Sequence, residues 1–183
     1  MTASIYLMRH GMTRANREDR FAGRTDEPLH AEGVMQIKEI GCKLQKIGLA
    51  AIYAGPVART RQSAEILSGM CGIPFAVEAG LTDISLPHWE GLTKEEIRQR
   101  FGSQYPTWKE SPESFRVEGC ETLADVQQRA VGSVEQIWRQ DDGRRVLLVT
   151  HLIVACCLIL HSSGRPLAHF REIKVANGDV IRL

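Results

Sequence analysis

A chain of 183 residues fits one domain with a substantial core, and a formal charge of +1 argues against a general nucleic-acid surface, which needs a broad basic face. The longest apolar run, Leu152 to Leu160, is too short to span a bilayer, and the amino terminus lacks a secretory leader pattern. The five cysteines show no CxxC spacing and read as reduced thiols, so a cytoplasmic protein without a membrane partner is expected.

The first predicted strand, Ala3 to Met8, runs straight into Arg9-His10-Gly11, and Arg9, Arg14, Arg17, Arg20 and Arg24 gather around that histidine against only Glu18 and Asp19. Guanidinium groups offer planar forked donors suited to phosphate. A histidine among them can serve as nucleophile, acid or base near neutral pH. Val34, Ile37, Ile40, Leu44 and Ile47 recur at helical spacing, and Ala50 to Ala54 is a short strand stopped by Gly55-Pro56. Val57, Ala64, Leu67 and Met70 mark a helix ending near Gly72, and Pro74 to Val77 reads as another short strand. Thr93 and Glu96 form a capping box for a helix through Phe101. Residues 102–119 are polar and rich in turn formers, predicting a surface loop. Thr122 opens a helix that buries Leu123, Val126, Ala130, Val134 and Ile137. Arg145 to Thr150 is a nearly continuous apolar strand, as in the centre of a parallel sheet, leading into His151 and an apolar helix. Asn177-Gly178, between two β-like segments, predicts a hairpin.

This alternation predicts an α/β fold, a three-layer α/β/α sandwich with a mostly parallel central sheet, formed by residues 1–183 as one domain. Ligands of such sheets bind beyond the carboxyl ends of the strands. His10 and His151 each follow a strand directly, and the strand ending at Ala54 exits into a loop carrying Arg59, so topology brings all three to one sheet edge. Each alone is equally well read as a helix cap or a partner for a backbone carbonyl. Three together are much harder to read that way.

The residues resemble the histidine phosphatase superfamily, also called phosphoglycerate mutase-like, over essentially the whole chain. The resemblance rests on Arg9-His10-Gly11-Met12-Thr13-Arg14-Ala15-Asn16, on Phe21, Gly23, Asp26 and Leu29, and on Pro56 to Ala64 with Arg59. It continues through Leu81-Thr82-Asp83-Ile84 with Trp89-Glu90-Gly91, Gly119-Cys120-Glu121-Thr122 and Val149-Thr150-His151. It implies that neutral His10 attacks phosphorus and becomes a phosphohistidine, while Arg9, Arg59 and His151 hold the non-bridging oxygens. Nearby arginines favour the neutral form of His10. Asn16 and the backbone near Gly23 are implied as further phosphate ligands. Asp83 stands where the family places the Glu that protonates the leaving alkoxide and then activates water. No metal and no cofactor are implied.

Two departures from the family pattern matter. Asp83 is one methylene shorter than Glu, so it reaches about 1.5 Å less far; Glu90 and His88 are backups, better read as a loop brace and a surface imidazole. Leu152-Ile153 replaces the usual glycine pair after His151 and is read as part of the buried helix. Cys156-Cys157 reads as core packing, Trp108 as either a wall of the substrate mouth or a loop anchor, and His30, His161 and His169 as exposed or capping. The expected activity is phosphatase action on a small phosphorylated metabolite, similar to α-ribazole phosphatase, by a monomer or a homodimer, with no nucleic-acid partner. The competing readings are a cofactor-dependent phosphoglycerate mutase, disfavoured because this compact chain has little to spare for a water-excluding lid, and a catalytically weak phosphate-binding regulatory module.

Overall fold

The computed structural model describes residues 4–141 and 143–183; Ala3, at the start of the first predicted strand, lies outside them. The core is a five-stranded sheet in the order β3-β2-β4-β1-β5. Strands β1 (Ser4–Arg9), β2 (Ala51–Ala54), β3 (Phe75–Val77) and β4 (Arg145–Thr150) are parallel, and β5 (Val180–Arg182) adds an antiparallel edge to β1. The strands predicted at β1 to β4 are therefore present, with β1 ending one residue later than expected, at Arg9, and β2 and β3 each starting one residue later.

Side-chain alternation along the strands builds the two outer layers. Ile5, Leu7, Val146 and Leu148 face one way, into a cluster with Leu123, Val126, Ala130 and Ile137 of α6 (Leu123–Gln140) and the apolar residues of α7 (Leu152–Ser162). Met8, Ile52, Ala54, Leu147 and Val149 face the other way, onto Ile37 and Leu44 of α2 (Ala31–Leu44) and Ala64 and Leu67 of α3 (Ala58–Cys71). Strand β4 lies between β1 and β2, and Val146 to Thr150 are all buried. Each fully buried Val or Leu stabilises by roughly 1.5–3 kcal/mol. A one-residue slip would exchange the two faces of the strand, so the pairing of Leu7 with Leu148 and of Met8 with Val149 is firmly specified.

Capping boxes start the helices where polar residues precede apolar ones. Thr93 N–H donates to Glu96 Oε2 at 2.8 Å and Glu96 N–H to Thr93 Oγ1 at 3.1 Å, opening α4 (Lys94–Phe101) as the spacing predicts. Thr122 and Asp125 form the same reciprocal pair at α6.

Two expectations are corrected. Residues 102–119 are not a plain surface loop: they contain helix α5 (Gln104–Glu110) and a 3-10 turn at Pro112–Ser114. Trp108 and Phe115 are buried and pack edge-on to each other at 5.4 Å, while Trp89 lies 6.0 Å from Trp108 and 5.1 Å from Phe115. Pro106 sits in the first turn, where the missing N–H has no helical partner to lose. Trp108 is thus a core anchor and not a wall of the active-site cleft. The predicted hairpin at Asn177-Gly178 also does not form, because β5 pairs with β1 and not with a strand before the turn. Gly178 adopts φ +80° and its N–H donates to Arg9 O at 2.9 Å, which ties the turn to the end of β1.

Candidate active site

The carboxyl ends of β1, β4 and β2 lie side by side, and the ladder runs past them. His10 N–H donates to Thr150 O at 2.9 Å, and Gly55 N–H donates to Val149 O at 3.0 Å. His10 and His151 thereby emerge on adjacent strands, with ring centroids 5.2 Å apart and planes inclined at 61°. Gly11 is required by close approach: a Cβ there would meet Gly33 O and Ile37 Cγ1, each at 2.8 Å.

Hydrogen bonding sets the tautomer of His10. Its Nδ1 lies 2.7 Å from Gly11 O, and a carbonyl only accepts, so Nδ1 carries the proton and Nε2 the lone pair. Arg59 Nε donates to that Nε2 at 3.3 Å. Burial first, then the Arg59 and Arg9 charges, holds His10 well below the usual imidazole range, outweighing its bond to Gly11 O. Both effects favour the neutral ring.

Arg59, in the first turn of α3, is only 1% exposed and every arm of its guanidinium is engaged. Nη1 donates to Thr25 O at 2.9 Å, Nη2 to Gly23 O at 2.6 Å, and Nη2 lies 3.3 Å from Asp83 Oδ2. Gly23 thus enters the site partly by orienting Arg59 through its carbonyl. Its φ of +52° and a gap of 2.4 Å from a built Cβ to Glu90 Oε1 exclude a side chain there. Arg9 donates from Nη1 to Val175 O at 2.9 Å, while its buried Nε makes no hydrogen bond among the described residues.

His151 is fully buried, and neither ring nitrogen has a hydrogen-bond partner among the described residues. Burial, followed by the charges of Arg59 and its other neighbours, holds it well below the usual imidazole range. An unsatisfied buried polar group costs about 1–3 kcal/mol, so an anionic oxygen meeting a His151 N–H would find a donor already stripped of water.

Asp83 reaches the cleft in spite of its shorter side chain. Oδ1 accepts from Ile84 N–H at 2.9 Å, and Oδ2 lies 3.6 Å from His151 Nδ1. Burial pushes its carboxyl up, against the opposing pull of Arg59, the Ile84 N–H, Arg9 and Arg129. The backups stand elsewhere. Glu90 Oε1 accepts from Arg24 N–H at 2.7 Å as a loop brace, and His88 contacts Gln104 Oε1 at 2.8 Å and Cys120 Sγ at 3.4 Å.

Asn16, in α1 (Arg14–Arg17), completes a capping box with Thr13, its Oδ1 accepting from Thr13 N–H at 3.2 Å. Asn177 Nδ2 also donates to that Oδ1, at 3.0 Å, and to His10 O at 3.0 Å. Both Oδ1 lone pairs are thus used, and Asn16 lines the cleft. Asn177 is a site residue that sequence reading missed, because Asn-Gly signals a turn so strongly that the side chain was assigned no further task. Arg129 was missed as well: from α6 it donates to Gly80 O, Thr82 O and Asp83 O at 2.8, 2.7 and 3.1 Å, and pairs with Glu121 at 3.0 Å. Its only sequence signal is a polar position on an amphipathic helix.

A cleft of about 330 Å³ is lined by Arg9, His10, Asn16, Gly23, Arg59, Asp83 and Asn177, with Phe21, Leu152 and Ile153 as its apolar wall; Arg129 and the buried His151 are not among the residues that line it. The reading of Leu152-Ile153 as helix interior is corrected in part. Ile153 is buried in the core and Leu152 half-buried, but both also face the cleft, because the first turn of α7 starts at the sheet edge. A larger cavity of about 580 Å³ between α6 and α7 holds none of the residues gathered at the strand ends. Among the described residues, no helix is long and apolar enough to cross a membrane, and no three His, Cys, Asp or Glu side chains are placed to hold a metal ion.

The family model for the histidine phosphatase superfamily (branch 1) matches residues 5–183. A curated relative from Enterobacter sp. (strain 638), named "Probable phosphoglycerate mutase GpmB", is 28% identical over 184 residues, covering 98% of this chain and 83% of that one. The solved structure of Bacillus stearothermophilus YhfR superposes with a TM-score of 0.94 at 34% identity, covering 98% of this chain and 90% of that one. A mycobacterial glucosyl-3-phosphoglycerate phosphatase in complex with VO3 superposes with a TM-score of 0.89 at 23% identity, covering 98% and 90%, and so shares the fold.

Proposed function

Because the chain belongs to the histidine phosphatase superfamily (branch 1), we propose that it is a phosphatase that hydrolyses a small phosphomonoester through a phosphohistidine on His10. The observation that carries the proposal is the His10 Nδ1–H bond to Gly11 O, which leaves the lone pair on Nε2, 3.3 Å from Arg59 Nε, in a ring whose centroid lies 5.2 Å from that of His151.

In the first half-reaction His10 Nε2 attacks phosphorus as the P–O bond to the leaving group breaks. Arg9, Arg59, His151 and Asn16 hold the non-bridging oxygens, so negative charge meets donors already fixed in place. Asp83, whose carboxyl burial pushes up, donates its proton to the departing alkoxide. In the second half-reaction the Asp83 carboxylate takes a proton from water, the resulting hydroxide oxygen bonds to phosphorus, and the P–N bond breaks. Phosphate leaves, and His10 and Asp83 return to their starting protonation. Charge compensation by the arginines leaves no step that calls on a metal.

The test is hydrolysis of p-nitrophenyl phosphate by the purified protein in the presence of EDTA, with acid-quenched samples analysed for phosphohistidine. Turnover that disappears in His10→Ala, with the phosphoryl group found on His10 in the wild type, is the expected result. Activity lost to EDTA and regained with a divalent ion would overturn the metal-free mechanism. The name carried by the curated relatives favours a second reading, a phosphoglycerate mutase. Conversion of 3-phosphoglycerate to 2-phosphoglycerate faster than phosphate release would select it. Phosphate binding without turnover of any ester would point to a regulatory module.

A further inference from the structure

Leu152 has a second neighbour. It lines the catalytic cleft and also an adjoining cleft of about 330 Å³ whose walls are Cys156, Phe170, Ile173 and Val175, with Arg171 and Lys174 at its rim. The two clefts are tied through the backbone as well, since Arg9, at the catalytic histidine, donates to Val175 O at 2.9 Å.

Charge pairing distinguishes the two rims. Around the catalytic cleft the outer cations are already neutralised: Lys94 pairs with Asp19, and Arg20 with Glu18 at 2.8 Å and Glu96 at 3.3 Å. Arg24 pairs with Glu121 at 2.9 Å. Closer in, Arg9 and Arg59 line the cleft, Arg59 already 3.3 Å from Asp83, and both are assigned to the transferred phosphoryl group. Beyond Leu152 the situation reverses. Arg171 stacks over Trp108 and Phe170, at 5.6 and 5.4 Å from their ring centroids, and has no acidic partner within ion-pair distance among the described residues. Lys174 is exposed and likewise makes no ion pair among the described residues. An alcohol that brings its own negative charge therefore finds no free cation at the Lys94 side and finds one at the Lys174 side. On the way it crosses an apolar saddle of Leu152, Phe170 and Ile173, which favours a hydrocarbon segment between the phosphate ester and the anion.

We propose that this second cleft is the leaving-group subsite of the enzyme, and that it selects phosphomonoesters whose alcohol combines an apolar segment with an anionic group, read by Leu152 and Lys174. The inference rests on the phosphatase reading given above.

A matched pair of esters tests it: phenyl phosphate and the phosphate ester of p-hydroxyphenylacetate, which differ by one carboxymethyl group. The quantity read is the ratio of kcat/KM for the carboxylated ester to that for phenyl phosphate. The wild type is expected to favour the carboxylated ester. Lys174→Glu is expected to lower the ratio by at least about fivefold, the scale of a partly exposed charge pair reversed in sign. Lys174→Arg, which keeps the charge, should hold the ratio near the wild-type value. A ratio that stays within about twofold in Lys174→Glu while phenyl phosphate is still hydrolysed would overturn the subsite and leave the phosphatase reading standing. Failure of the wild type to hydrolyse either ester would instead refute the phosphatase reading, and the subsite with it.

Discussion

Arg59 Nη2 lies 3.3 Å from Asp83 Oδ2, with the two side chains 1% and 14% exposed, while Arg59 Nε donates to His10 Nε2. One guanidinium therefore spans the candidate nucleophile and the candidate proton donor. Arg59 in particular cannot be removed cheaply: without its guanidinium the Asp83 carboxyl and the carbonyls of Thr25 and Gly23 lose their donor, and removing one member of such a buried pair costs about 3–5 kcal/mol. Arg59→Ala is expected to lose activity and to show a destabilisation of that size in urea titration. A stability loss below about 1 kcal/mol would mean the pair is solvated in solution.

Asp83 carries a trade-off between activity and stability. Because burial raises its carboxyl, the folded state holds the proton more tightly than the unfolded chain, so ionisation of Asp83 costs the fold stability. Asp83→Asn removes that ionised form at nearly constant shape, so its Tm at neutral pH is expected to exceed that of the wild type. The difference should close as pH falls toward the ordinary carboxylate value. On an alkyl phosphate, kcat should drop by about 10²–10⁴-fold, and on p-nitrophenyl phosphate by much less, since that leaving group needs little protonation. Equal loss on both esters would remove Asp83 from the acid role. Glu90→Gln is expected to leave the leaving-group dependence unchanged.

Acid should destabilise the fold through His10 and His151. Both folded imidazoles lie well below the ordinary value of 6.5, so below that pH the unfolded chain binds protons that the folded chain refuses. Stability is therefore lost as pH falls, by up to about 1.4 kcal/mol per pH unit for each histidine. Denaturant titrations between about pH 7.5 and about pH 5.5 measure the slope, which should be shallower in His151→Gln. An unchanged slope in that variant would show that His151 titrates normally.

Asn177 is a candidate positioning residue, since its amide bonds both His10 O and Asn16 Oδ1. Replacing it with Ala removes the donors to His10 O and to Asn16 Oδ1. kcat/KM is expected to fall by about ten- to a hundredfold, as small misplacements of reacting groups do. Asn177→Asp should be worse than Ala, since its carboxylate would face two acceptor oxygens. Equal effects of the two variants would argue that the side chain only fills space.

Trp108→Ala addresses the segment that the sequence suggested was a loop. Loss of a buried aromatic costs about 3–5 kcal/mol, and limited proteolysis is expected to cut within residues 102–119 only in the variant. Cleavage of the wild-type protein there would show that α5 is not held down.

Much of this molecule was legible before folding. Strand β4 announces itself because both of its faces are apolar, and Thr93 with Glu96 declares a helix start through local hydrogen bonds. His10, Arg59 and His151 were placed at one sheet edge because parallel topology puts every strand exit on the same side. Local pattern failed where a side chain's partner is distant in sequence. Residues 102–119 look polar, but Trp108 and Phe115 reach a core built around Trp89. Asn177 reads as a turn, but its amide bonds residues that lie at the other end of the chain.

Sequence alone determined the residue types of the site and the strand ends that carry them, since both depend on short-range pattern and parallel connection. Tertiary structure decided the chemistry of each group. The His10 tautomer, the two His151 nitrogens without a partner among the described residues, the raised Asp83 carboxyl and the exposure of Leu152 to two clefts all follow from distances and burial. Those quantities exist only after remote segments have packed and water has been excluded from between them.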